Sequence, residues 1–128
     1  MAEQAGTRKK VLIIDDDAAL AEALSARLAQ DGLEVRVCHC GEQGIPDAKA
    51  FLPDLIILDI LMPGIHGIHV LSEIKRIPEL AKTQVLVISG MRDHDVEQVV
   101  HGLGAEVVHK SGEPQGIVAK AKRCLRVL

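Results

Sequence analysis

Five side chains in this sequence have the chemistry to act together on a phosphoryl group: Asp15, Asp16, Asp59, Ser89 and Lys110. A carboxylate can attack phosphorus in line once its own charge and that of the incoming oxygens are neutralised. Asp59 is the candidate nucleophile. Asp16 and Asp59 can each give Mg²⁺ an oxygen, with Asp15 holding a coordinated water, because hard oxygen ligands suit that ion. Ser89 can donate a hydrogen bond to one phosphoryl oxygen, and Lys110 can set a point charge against another. Each residue stands at or just past the end of an apolar run.

Those runs must be the elements that position the set. Leu55-Ile56-Ile57-Leu58 is too short for a core helix and lies between Pro53 and Pro63-Gly64. It reads as a strand buried on both faces, as in a parallel sheet, with Asp59 at the carboxyl end where open α/β sheets place ligands. Val11-Leu12-Ile13-Ile14 likewise runs into Asp15-Asp16-Asp17. If the two strands are neighbours, their acids converge. Two carboxylates about 4 Å apart repel by roughly 4 kcal/mol at an effective dielectric near 20, which calls for a compensating cation. Val85-Leu86-Val87-Ile88 leads to Ser89-Gly90, and the short run Glu106-Val107-Val108-His109 leads to Lys110.

Helices are expected between these strands. Leu20, Ala21, Leu24 and Leu28 share one face of Ala18 to Asp31, with Asp16 or Asp17 as cap and Gly32 as stop. Leu33 to Cys38 alternates, Val35 and Val37 opposite Glu34 and Arg36, as suits an edge strand. Gly41, Gly44 and Pro46 confine the second helix to about Pro46–Leu52. Ile68, Leu71, Ile74 and Ile77 mark a third, ended by Pro78. Asp93 to Leu103 is valine-rich and marginal. Pro114 opens the last helix, which buries Ile117, Ala121, Cys124, Leu125 and Leu128. Residues 1–8 read as a loose tail and 9–128 as one domain. The chain is therefore a doubly wound α/β protein, (βα)5, with a parallel five-stranded sheet. Wholly apolar runs take the centre and half-polar ones the edges, giving the flavodoxin-like order 2-1-3-4-5.

Composition narrows the function classes. A net charge of −3, from 15 basic and 18 acidic residues, gives no electrostatic reason for direct nucleic-acid binding. No apolar run has the length of a membrane span, and the polar start has no signal-peptide core, so no membrane role and a cytoplasmic location are expected. Three cysteines without zinc spacing read as reduced thiols. The six histidines read as solvated or capping residues; His66 and His69 have no third ligand near them. Lys120, Lys122, Arg123 and Arg126 read as a solvated face suited to a helix carboxyl terminus.

The ordered set Val11-Leu12-Ile13-Ile14-Asp15-Asp16-Asp17, Leu58-Asp59-Ile60-Leu61-Met62-Pro63-Gly64-Ile65-His66-Gly67, Val87-Ile88-Ser89-Gly90 and Val108-His109-Lys110 resembles the receiver domains of two-component response regulators, over roughly residues 9 to 127. The resemblance implies a phosphorelay switch rather than a turnover enzyme. A sensor histidine kinase or phosphotransfer protein would donate to Asp59, and Mg²⁺ would be held by Asp16, Asp59 and the Leu61 carbonyl. The signal would leave through the fourth helix, fifth strand and fifth helix, to a second copy or an output partner. Leu61 and Met91, apolar at the positions flanking the phosphoryl site, would exclude an attacking water. Two departures stand out. Ser111 replaces the proline that follows the motif lysine in a cis peptide, and Val107 stands where the family has its switch aromatic. A haloacid-dehalogenase-like phosphatase is the enzymatic rival. Asp15 and Asp17 fit its spacing, but Ala19 stands where it wants threonine, and the chain is short for that fold and its cap. An interaction module that carries no phosphate is the other rival.

Overall fold

The structure, a computed structural model, describes residues 8–61, 67–90, 93–110 and 113–126. Residues 1–7 of the expected tail over residues 1–8, together with Leu128, Met91, His66 and Ser111, lie outside them. Strands β1 (Lys10–Ile14), β2 (Glu34–Cys38), β3 (Leu55–Asp59), β4 (Gln84–Ser89) and β5 (Glu106–His109) form one parallel sheet in the order β2-β1-β3-β4-β5. Helices α1 (Ala18–Gln30), α2 (Gly41–Phe51), α3 (Gly67–Arg76), α4 (His94–Gly102) and α5 (Gln115–Leu125) alternate with them.

The strand order follows from burial. Every residue of β3 is buried, whereas β2 and β5 are mostly half-exposed. Alternate side chains feed two cores. Leu12, Ile14, Ile56, Leu58, Val85 and Val87 pack with Val70, Leu71, Ile74 and Val100 on one face. Val11, Ile13, Leu55, Ile57, Leu86 and Ile88 pack with α1 and α5 on the other. A strand with both faces covered must be a continuous apolar run, which is why these are.

Helix α2 starts five residues earlier than expected. Glycine normally weakens a helix, but here Gly41 and Gly44 are buried. A Cβ on Gly44 would meet Ile14 Cδ1 at 2.7 Å, so the missing side chain is what lets α2 lie against β1. Pro46 lies inside this helix; it and Glu42 are both exposed, so the carbonyl the proline cannot serve faces the solvent side. The lone aromatic, Phe51, is buried, with the Arg36 guanidinium 4.4 Å and the Lys10 ammonium 5.4 Å from its ring centroid.

Helix α1 ends as expected, Gly32 taking φ +87° just past it. Helix α4 is capped by Asp93, whose Oδ1 accepts from Asp95 and Val96 N–H groups, and only Val100 of the helix is buried. On α5, Lys120 pairs with Glu106 at 3.2 Å and Lys122 with Asp31 at 3.1 Å. Half of that basic face therefore serves contacts within the chain. Cys124 is half-buried rather than a core residue.

Candidate functional site

Parallel pairing brings the ends of β1, β3, β4 and β5 to one edge. Ile14 is level with Leu58, Asp59 with Ile88, and Ser89 with His109. The residues that end or follow these strands, Asp15, Asp59, Ser89 and Lys110, therefore lie along the same edge of the sheet. Asp15, Asp59 and Ser89 are buried, and Asp16 is exposed at the rim. Carboxylate oxygens of Asp15, Asp16 and Asp59 lie within 4.8 Å of one another.

Lys110 stands among them. Its Nζ is 3.2 Å from Asp59 Oδ2 and 3.7 Å from Asp15 Oδ2, and its N–H donates to the Ser89 carbonyl at 2.7 Å. The ammonium supplies part of the cation that the carboxylate repulsion demands. Among the described residues it is not enough: the three ionised carboxylates and this ammonium sum to −2. Burial pushes the Asp15 carboxyl up to about 6, with the neighbouring Asp59 charge adding to it and the Asp17 N–H and Lys110 opposing it. Burial alone would lower the Lys110 pKa, yet Asp15 and Asp59 together hold it above its ordinary value.

Main-chain donors fix the carboxylates. Asp17 N–H donates to Asp15 Oδ1 at 2.9 Å and Leu61 N–H to Asp59 Oδ1 at 3.1 Å. Among the described residues Asp15 Oδ2 is buried with no hydrogen-bond partner, although buried acceptors are normally satisfied. A divalent ion with its water shell fits this set: hard oxygen donors, a residual charge of −2 and one buried oxygen still able to accept. Asp17 accepts from Leu20 N–H at 3.1 Å as the cap of α1.

The five candidate residues thus meet at one edge, with Leu61 exposed beside Asp59. Sequence reasoning passed over two histidines. His39 Nδ1 contacts the Asp15 carbonyl at 3.1 Å, and His109 Nε2 contacts Glu97 Oε2 on α4 at 3.3 Å. Both immediately follow or end edge strands, which was the available signal. Val107, in place of an aromatic, is half-buried against the core under α3 and α4. Between α1 and α5 a groove of about 350 Å³ is lined by Asp17, Leu20, Ala23, Lys110, Pro114 and Ile117, among others.

A parallel 2-1-3-4-5 sheet with carboxylates at its switch point defines the class of flavodoxin-like doubly wound α/β domains. The chain belongs to the response regulator receiver domain family, whose sequence profile matches residues 11–122. It is 33% identical over 122 residues to the DNA-binding response regulator MtrA of Mycobacterium tuberculosis (strain ATCC 25618 / H37Rv), covering 93% of this chain and 51% of that protein. It is 35% identical over 95 residues to the cell cycle response regulator CtrA of Brucella ovis, covering 74% of this chain and 39% of that protein. The chain therefore spans about half the length, or less, of the curated relatives it matches. Among solved structures, a putative response regulator from Chloroflexus aurantiacus superposes with a TM-score of 0.83 at 31% identity, over 93% of this chain and 98% of that one. A CheY-like receiver domain from Methanospirillum hungatei matches in fold, with a TM-score of 0.85 at 22% identity, over 93% and 94% of the two chains. Receiver domains act in two-component phosphorelays as signalling domains rather than metabolic enzymes, and bind Mg²⁺ through an acidic pocket. Among the described residues, no helix is long and apolar enough to cross a membrane.

Proposed function

We propose that this domain accepts a phosphoryl group on Asp59 from a histidine-borne donor in the cytoplasm and passes the change to its α4–β5–α5 surface. The observation that carries the reading is the burial of the Asp59 carboxylate, 2% exposed, between a three-carboxylate cluster and the Lys110 ammonium. Asp16, Asp59 and the Leu61 carbonyl would hold Mg²⁺, Asp15 through a water, and the ion would neutralise charge on the transferring oxygens.

An oxygen of Asp59 forms the new bond to phosphorus while the bond to the donor's imidazole nitrogen breaks, the imidazole keeping the electron pair. Lys110 compensates the charge that accumulates on the equatorial oxygens, and Ser89 donates to one of them. The donor is a sensor histidine kinase or a phosphotransfer protein. The groove between α1 and α5 includes Lys110 in its wall, so a helix seated there would bring its histidine towards Asp59. Leu61 keeps the rim apolar and excludes a hydrolytic water.

Incubation with Mg²⁺ and acetyl phosphate should label the wild type. Asp16→Ala removes a metal ligand but leaves the nucleophile. Its labelling should fall by at least about 10²-fold and lose its Mg²⁺ dependence. Labelling that stays at the wild-type rate and still responds to Mg²⁺ would take Asp16 out of the metal site.

The output surface follows from which element is loosely held. Helix α4 buries only Val100, and the Glu97–His109 contact joins it to the strand that leads into Lys110. Val107 is too short to swing between buried and exposed positions. Amide exchange with beryllofluoride and Mg²⁺ should therefore change most between Gly90 and Gly104 and little at Val107. A response centred on β5, with α4 unaltered, would contradict this route.

A further inference from the structure

We propose that His39 is a positioning residue for the acidic pocket: its imidazole holds the Asp15 carbonyl and so sets the direction in which β1 delivers Asp16. The consequence for metal binding rests on the phosphoacceptor reading; the geometry does not. Strands β1 and β2 pair in parallel from Lys10↔Glu34 to Ile14↔Cys38, and Asp15 N–H adds a bond to the Cys38 carbonyl at 2.9 Å. In such a ladder the Asp15 carbonyl would next accept from the N–H two residues beyond Cys38, that of Cys40. The same offset joins Glu34 N–H to the Lys9 carbonyl at 2.9 Å at the other end.

Cys40, however, is the N-cap of α2, where the chain turns off the sheet. The Asp15 carbonyl is met instead by His39 Nδ1 at 3.1 Å. A carbonyl oxygen only accepts, so Nδ1 carries the proton in this contact. The ring therefore supplies the rung that the main chain gives up on leaving the sheet. That rung acts on the peptide unit joining Asp15 to Asp16, whose tilt decides where the exposed Asp16 carboxylate points relative to Asp59. His39 itself is exposed and belongs to neither core. Its contact is thus suited to orient the site rather than to hold the fold.

The test compares His39→Ala, His39→Asn and His39→Gln in the full chain. Asparagine places an amide donor about where Nδ1 lies; glutamine carries its donor one methylene further out. Amide exchange at Asp15 and Asp17 in metal-free protein reads the positioning itself. It should quicken by about 10-fold in His39→Ala and stay near wild type in His39→Asn. Thermal midpoints should move by no more than about 2 °C. The Mg²⁺ dissociation constant, followed by calorimetry, should rise about 5-fold in His39→Ala and His39→Gln and return in His39→Asn. Unchanged exchange in His39→Ala, equal losses in the alanine and asparagine proteins, or faster exchange with an unchanged Mg²⁺ constant would each overturn the proposal. If the wild type takes up no Mg²⁺, the phosphoacceptor reading fails, and the exchange comparison still decides the positioning.

Discussion

Replacing Asp59 by asparagine is expected to abolish labelling by acetyl phosphate, the largest functional effect foreseen for any single substitution here. The amide is close to the carboxylate in shape, so the main-chain donor from Leu61 still finds an oxygen. What it lacks is the charge and nucleophilicity to attack phosphorus, a loss of at least about 10⁴-fold in a step that depends on the nucleophile. The fold should not suffer. Removing one of three converging carboxylates relieves repulsion, although Lys110 also loses its contact at 3.2 Å. A variant labelled as well as wild type would move the phosphoacceptor elsewhere.

The largest expected effect on stability comes from Gly67→Ala. A Cβ on Gly67 would lie 2.4 Å from Ile60 Cα, 2.7 Å from the Ile60 carbonyl oxygen and 2.8 Å from that of Asp59. All three neighbours are backbone, so no side chain can rotate away. Gly67 N–H also donates to the Ile60 carbonyl at 3.1 Å, which ties the start of α3 to the end of β3. Forcing these apart should cost about 3 kcal/mol in urea denaturation. It should slow labelling as well, because the displaced segment carries Leu61, which orients Asp59. Gly116→Ala is the control. A Cβ there meets nothing within 4 Å, so the exchange should be neutral or stabilising by up to about 1 kcal/mol. Equal losses for the two variants would remove the close-approach argument.

Glycine also shows where the sequence could be read and where it could not. The strand order was legible because sheet position writes itself into composition: β3 is apolar throughout, while β2 alternates valines with Glu34 and Arg36. Asp59 and Asp15 were legible for the same reason, as carboxylates that end such runs. The start of α2 was not. Local propensity makes Gly41 and Gly44 helix breakers, and only the nearness of Ile14 to Gly44 gives its missing Cβ a packing reason. The place of Lys110 between two carboxylates was likewise a matter of register rather than of type. So were the contacts of His39 and His109, whose imidazoles look like ordinary surface residues until β2 and β5 are laid beside their neighbours. The role of Asp17 was divided in the sequence between cap and second acid, and its bond to Leu20 N–H makes it the cap.

The central claim is that Asp59 takes up a phosphoryl group in this pocket. Its most direct measurement is peptide mapping of the wild-type protein after incubation with Mg²⁺ and acetyl phosphate. The expected product carries one phosphoryl group on the peptide that contains Asp59, as an acyl phosphate released by hydroxylamine and absent when Mg²⁺ is chelated. Phosphate on a serine or on another carboxylate, or no mass change under conditions that label a known receiver domain, would contradict it.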